Sequence, residues 1–189
     1  TIDTEKTHTY TEDGVYTIKT HKRLGGGGYT PQGSKEAIIE IKQIFLGIAG
    51  EKIGSVYIPS QTYGFSGLKN LKTVDIEYFP TALSTTGNSH ADMFKNCTSL
   101  QTFIVRKGNC PGGCITSASG MFANNVMLEE LDLTILDFSE TSNMGSLAQA
   151  CTNLKKVKIN LTGVIKSFHS AFYGCSNLEE VYGLNDRVG

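Results

Sequence analysis

Five segments of this chain line up on a leucine. They are Phe65-Ser-Gly-Leu68-Lys-Asn-Leu71-Lys-Thr-Val74-Asp-Ile76, Phe94-Lys-Asn-Cys97-Thr-Ser-Leu100-Gln-Thr-Phe103-Ile-Val105, and Phe122-Ala-Asn-Asn125-Val-Met-Leu128-Glu-Glu-Leu131-Asp-Leu133. The fourth is Ala148-Gln-Ala-Cys151-Thr-Asn-Leu154-Lys-Lys-Val157-Lys-Ile159, and the fifth Phe172-Tyr-Gly-Cys175-Ser-Asn-Leu178-Glu-Glu-Val181-Tyr-Gly183. The anchoring leucines are 29, 28, 26 and 24 residues apart. A period in that range means one supersecondary unit per repeat, each too small to bury its own apolar face and obliged to stack on its neighbours. From the leucine onward, apolar residues at the third and fifth positions alternate with polar ones, the period-2 mark of a half-buried strand. The Phe and the small residue three before the leucine fall on a turn or short helical stretch, where Asn, Ser and Gly supply turn chemistry.

The Phe-x-x-Cys-x-x-Leu-x-x-Val-x-Ile core resembles the BspA-type leucine-rich repeat of bacterial surface proteins, over about Ile53 to Gly183. An incomplete earlier unit, Ile53-Gly-Ser-Val56-Tyr-Ile58-Pro59, ends in the Ile-Pro frequent in that family. The resemblance implies a β-rich solenoid over residues 51–189: short parallel strands on one face, irregular or short helical segments on the other. It also implies a non-catalytic module that adheres to a protein or glycan, host-derived ones included, at the cell surface or after secretion. Three departures are visible. Ala148 replaces the Phe, Asn125 the Cys and Gly183 the last strand residue. Met144 or Leu147 must fill the space at Ala148, or a void remains.

Residues 1–50 read as a β-rich N-terminal cap or the remnant of a preceding domain. His8 to Lys19 alternates about Asp13-Gly14, a hairpin signal, and resembles the closing hairpin of polycystic-kidney-disease-type immunoglobulin-like domains. Gly25 to Gly28 is a flexible connector. Residues 37–48 fit either one helical face or, with their isoleucines, a strand; the strand is preferred. The chain opens at Thr1 rather than Met, which is expected of a mature or trimmed fragment that has lost its export signal.

Composition narrows the partners. Lys plus Arg number 17 against 18 Asp plus Glu, a net charge of -1. A domain built to neutralise phosphates is strongly basic, so nucleic acid is not an expected ligand. The longest near-apolar stretch, Ile44 to Gly50, falls far short of the roughly 20 residues of a membrane span. The module is expected to act as a monomer.

The chemistry-bearing residues form no recognised constellation. Cys97, Cys151 and Cys175 share one repeat position and read as small buried hydrophobes rather than metal ligands. Cys110 and Cys114 flank a Pro-Gly-Gly turn and form either a disulfide or two loop thiols. Gly28 to Lys35 nearly spells a phosphate loop, but its Ser34-Lys35 order is reversed, and it reads as a linker. The sequons at Asn96 and Asn160 read as incidental. No cofactor or metal is expected. A hydrolase using His90, Asp92 or His169 is the least favoured reading.

The outward strand positions are Lys72, Thr73 and Asp75; Gln101, Thr102 and Ile104; Glu129, Glu130 and Asp132; Lys155, Lys156 and Lys158; and Glu179, Glu180 and Tyr182. An acidic row lies beside a basic row, followed by another acidic pair. This face is either a set of mutually paired charges or a docking surface. A structural stalk or spacer is the alternative to adhesion.

Overall fold

The computed structural model describes residues 65–76, 79, 89–109 and 113–184, together with the backbone of residues 40–42. Six short strands appear in chain order: β1 (Glu40–Lys42), β2 (Thr73–Ile76), β3 (Thr102–Val105), β4 (Glu130–Leu133), β5 (Lys156–Ile159) and β6 (Glu180–Tyr182). Five of them begin two residues after an anchoring leucine, as the period-2 pattern demands. Every pairing is parallel, in two three-stranded sheets ordered β1-β2-β3 and β4-β5-β6. Register follows the repeat: Val74 faces Phe103, and Leu131, Val157 and Val181 face one another in sequence. These inward residues are buried in β2 to β5, while the positions between them are partly or fully exposed. The strand preferred within residues 37–48 is present as β1, which pairs with β2.

Turns, and no helix among the described residues, fill the stretch before each strand. Their backbone hydrogen bonds follow a two-residue rhythm. One set of N–H groups bonds back three residues within its own unit, as in Met121 to Ala118 and Ala123 to Gly120. The alternate set reaches the following unit: Ala118, Gly120, Phe122 and Asn124 donate to the carbonyls of Asn143, Gly145, Leu147 and Gln149 at 2.8–2.9 Å. The units starting at His90 and Met144 repeat this scheme. Parallel bridges join Ser89, Ser117, Asn143 and Ser167 just ahead of it. The turns thus leave few backbone donors without a partner, which buried irregular chain requires.

That rhythm needs left-handed backbone at fixed places. Eight residues before the leucine, Asp92, Gly120, Ser146 and Ser170 have φ of 54°, 60°, 56° and 53°. Four before it, Asn96, Asn124, Ala150 and Gly174 have φ of 61°, 64°, 59° and 78°. Gly and Asn suit this region; Ala150 does not, and adopts it against its own preference.

The core lies between strands and turns. Phe94 stacks on Phe65 at 5.3 Å and on Phe122 at 5.8 Å between ring centroids. Phe103 meets Phe94 and Phe122 edge-on. The aromatic stack stops at Ala148. Met144 and Leu147, the side chains expected to fill that space, are both fully buried. Gly183 ends β6 with φ of 82°, against the carbonyl of Ile159 where a side chain would collide. The hairpin of residues 8–19, the connector at 25–28, the phosphate-loop-like segment at 28–35, the partial unit at 53–59 and Cys110 lie outside the described residues.

Candidate functional site

The outward strand positions come together as two sets of ion pairs. On the first sheet, Arg106 grips Asp75 with two nitrogens, Nε at 2.8 Å and Nη2 at 2.7 Å. Lys72 and Gln101 are exposed beside it, and Ile104 is 40% exposed. Arg106 lies beyond the outward positions that the strand alternation singles out, one step past the fourth after the leucine. Its signal was available: it is the next outward step of the same alternation, diagonal to Asp75.

On the second sheet, Lys155 pairs with Glu129 at 2.8 Å, Lys156 with Glu180 at 2.8 Å and Lys158 with Asp132 at 3.4 Å. Parallel register dictates these partners, because Glu130, Lys156 and Glu180 are aligned and so are Asp132, Lys158 and Tyr182. Lys156 also sits 5.0 Å over the ring of Tyr182, which is 48% exposed. Glu130 and Glu179 are exposed and add to the field around Lys155.

The titration shifts agree with the geometry. Hydrogen bonding to Glu129 holds Lys155 above the usual lysine range, and Glu180 does the same for Lys156. Lys156 and then Tyr182 hold the Glu180 carboxyl below its ordinary value. Partial burial pushes Asp132 up, but hydrogen bonds from Thr134 and the nearby Lys158 outweigh it and leave the carboxyl lowered. Exposed pairs of this kind add little to stability, because water and salt screen them. The face is therefore organised more than it is strongly held.

The cysteine position does more than fill space. Cys97, Cys151 and Cys175 donate their thiols to the backbone carbonyls of Phe65, Phe122 and Ala148 in the preceding unit, at 3.2, 3.1 and 3.0 Å. Asn125 occupies the same position, fully buried, and neither end of its amide has a partner. Cys114 is partly buried on its loop; its pairing with Cys110 falls outside the described residues.

The histidines do not converge. His90 is fully buried against Phe79, and its neighbour Asp92 pairs with Lys95 at 3.2 Å. His169 lies three units further on, exposed, with Nδ1 2.7 Å from the Ser167 hydroxyl. Ser167 continues the Ser89, Ser117 and Asn143 positions, each of which accepts a backbone N–H two residues on. The serine–histidine contact is thus a variant of a repeated turn bond. Asn96 accepts a side-chain hydrogen bond from Asn124 at 2.7 Å, whereas Asn160 is exposed. No group of three or more metal-ligating side chains occurs among the described residues, nor does any helix there that is long and apolar enough to cross a membrane.

No protein-family model, curated protein or solved structure matches the chain.

Proposed function

We propose that the chain is a leucine-rich-repeat solenoid of the BspA type and serves as a non-catalytic interaction module on a bacterial surface or in secretion. The observation that carries this is the outward strand face: two three-stranded parallel sheets present Ile104 on one and Tyr182 on the other, each beside ordered ion pairs. Repeat proteins use such extended faces to bind other macromolecules. The ligand class is a protein or glycan, host-derived ones included. Recognition would exchange the internal ion pairs of Lys155, Lys156 and Lys158 for contacts with the ligand.

The test is a binding screen of the intact protein against matrix proteins and glycans at physiological salt. Replacing Lys155, Lys156 and Lys158 together by Glu should abolish binding while leaving the circular dichroism spectrum unchanged. Undiminished binding would sink the docking role of this face. A second reading, a stalk or spacer, draws support from the same ion pairs, because charges that satisfy one another leave a face with little left to offer. It predicts no ligand in the screen and no effect of the triple substitution.

A further inference from the structure

The cysteine position has cysteines in consecutive units at one place among the described residues. Cys151 and Cys175 follow one another, whereas Asn125 stands between Cys151 and Cys97. The fourth and fifth units are tightly stacked there. Ala148 and Ala150 donate their N–H groups to the carbonyls of Ala171 and Tyr173 at 2.8 and 2.7 Å. One residue before the two cysteines, a Cβ placed on Gly174 would lie 3.7 Å from the Cβ of Ala150. The carbonyl of Ala148 accepts both the Cys175 thiol at 3.0 Å and the Cys151 N–H at 3.2 Å. A single oxygen therefore holds the thiol of one cysteine beside the backbone of the other.

A disulfide needs Cβ atoms roughly 3.5–4.5 Å apart and Cα atoms roughly 4.4–6.8 Å apart. The 3.7 Å at the preceding pair falls inside the first window. Parallel neighbours about 4.8 Å apart satisfy the second; Cys97, two such steps from Cys151, lies outside it. The Cys175 thiol already reaches back into the unit of Cys151, while the Cys151 thiol reaches the other way, to Phe122. A change of one staggered rotamer at Cys151 turns its sulfur toward its neighbour. The thiol bonds given up are weak, and the Ala148 carbonyl keeps the Cys151 N–H.

We infer that Cys151 and Cys175 form a disulfide when the chain folds in contact with an oxidising small-molecule disulfide, clamping the fifth unit to the fourth, while Cys97 stays a thiol. First, one protein thiolate attacks a sulfur of the oxidant, forming a mixed disulfide and expelling one small-molecule thiolate. The second protein thiolate then attacks the protein sulfur of that mixed disulfide, forming the Sγ–Sγ bond and expelling the other. Two electrons pass to the oxidant, and the two thiol protons end on its thiolates. The free thiols described above are the reduced form of this clamp. It does not depend on the adhesion reading.

The experiment refolds the reduced 189-residue chain in a mixture of oxidised and reduced glutathione, with Cys110→Ser and Cys114→Ser removing the loop thiols. Remaining thiols are alkylated, and proteolytic fragments are weighed by mass spectrometry. The expected product is a monomer with one link, joining the fragments that hold Cys151 and Cys175 and two hydrogen masses lighter than their sum. Cys97 should be alkylated. The oxidised protein should unfold at a higher temperature than the same protein reduced. Cys175→Ser, which keeps a hydroxyl donor for Ala148, should erase that difference. Three alkylated thiols, a stable glutathione adduct on Cys175, a link that includes Cys97, or a cross-linked dimer would each overturn the proposal. So would equal unfolding temperatures for the oxidised and reduced forms.

Discussion

Asn125 and the three cysteines occupy one repeat position with opposite outcomes. A thiol is small enough to be buried and still satisfies one carbonyl of the unit before it, whereas the larger amide is buried with both polar ends unmet. Leaving buried polar atoms without partners costs about 1–3 kcal/mol. Asn125→Cys should therefore raise stability by about that amount, measured as a shift in the denaturant midpoint at constant slope. The same thiols set an alkaline limit. Burial pushes Cys151 up to about 12 from an ordinary value near 9, and burial raises Cys175 as well. Below about pH 9 both folded and unfolded thiols hold their protons, so the protection is complete there. Between about pH 9 and 12 the unfolded chain releases protons that the folded one keeps, and stability falls with rising pH. The slope is up to about 1.4 kcal/mol per pH unit for each fully protected thiol. Urea denaturation at pH 8, 10 and 11 should show this decline, shallower once Cys151 is replaced by Ala. The sequence showed which residues share this position; that the thiols bond to carbonyls was not legible, because period and polarity carry no information about bond direction.

At the scale of elements, the strands were legible and the turns were not. Alternation at Val74-Asp-Ile76 or Val157-Lys-Ile159 is a direct statement about which side chains face inward. The turn stretches read equally as irregular or short helical chain, because Asn, Ser, Gly and Ala there look alike to a periodicity argument. What decides between them is the left-handed backbone four and eight residues before each leucine, and only half of those eight sites carry the Gly or Asn that would announce it. The aromatic stack was legible as a recurring Phe. Phe94 touches a ring on each side, so Phe94→Ala should cost about 3–5 kcal/mol by thermal unfolding. Ala148 is no precedent for tolerance, since its unit carries a fully buried Met144 where the unit of Phe122 has only Ala118.

Across the whole molecule, bonds run from each unit to the next, and few features depend on both ends at once. Cutting after Val157 should accordingly leave a partly folded stub with residual β signal in circular dichroism. A random-coil spectrum would show that the last unit is indispensable. The outward face was legible as rows of charge, because strands that repeat in sequence stack in sequence and a one-residue slip would turn every inward residue outward. The grip of Arg106 on Asp75 was not, since it depends on what lies beside the residue rather than on its own type.

The strand ladder is interrupted between β3 and β4, where Phe103 presents the bulkiest inward side chain of its position, while the turn-side bonds from Phe94 to Met121 and from Asn96 to Ala123 carry on unbroken. The molecule is thus zipped along one margin and unbuttoned for a single step along the other. Bending there opens or closes the seam without breaking a ladder bond. Under tension the chain should part at that step first, yielding two halves that each keep a three-stranded sheet.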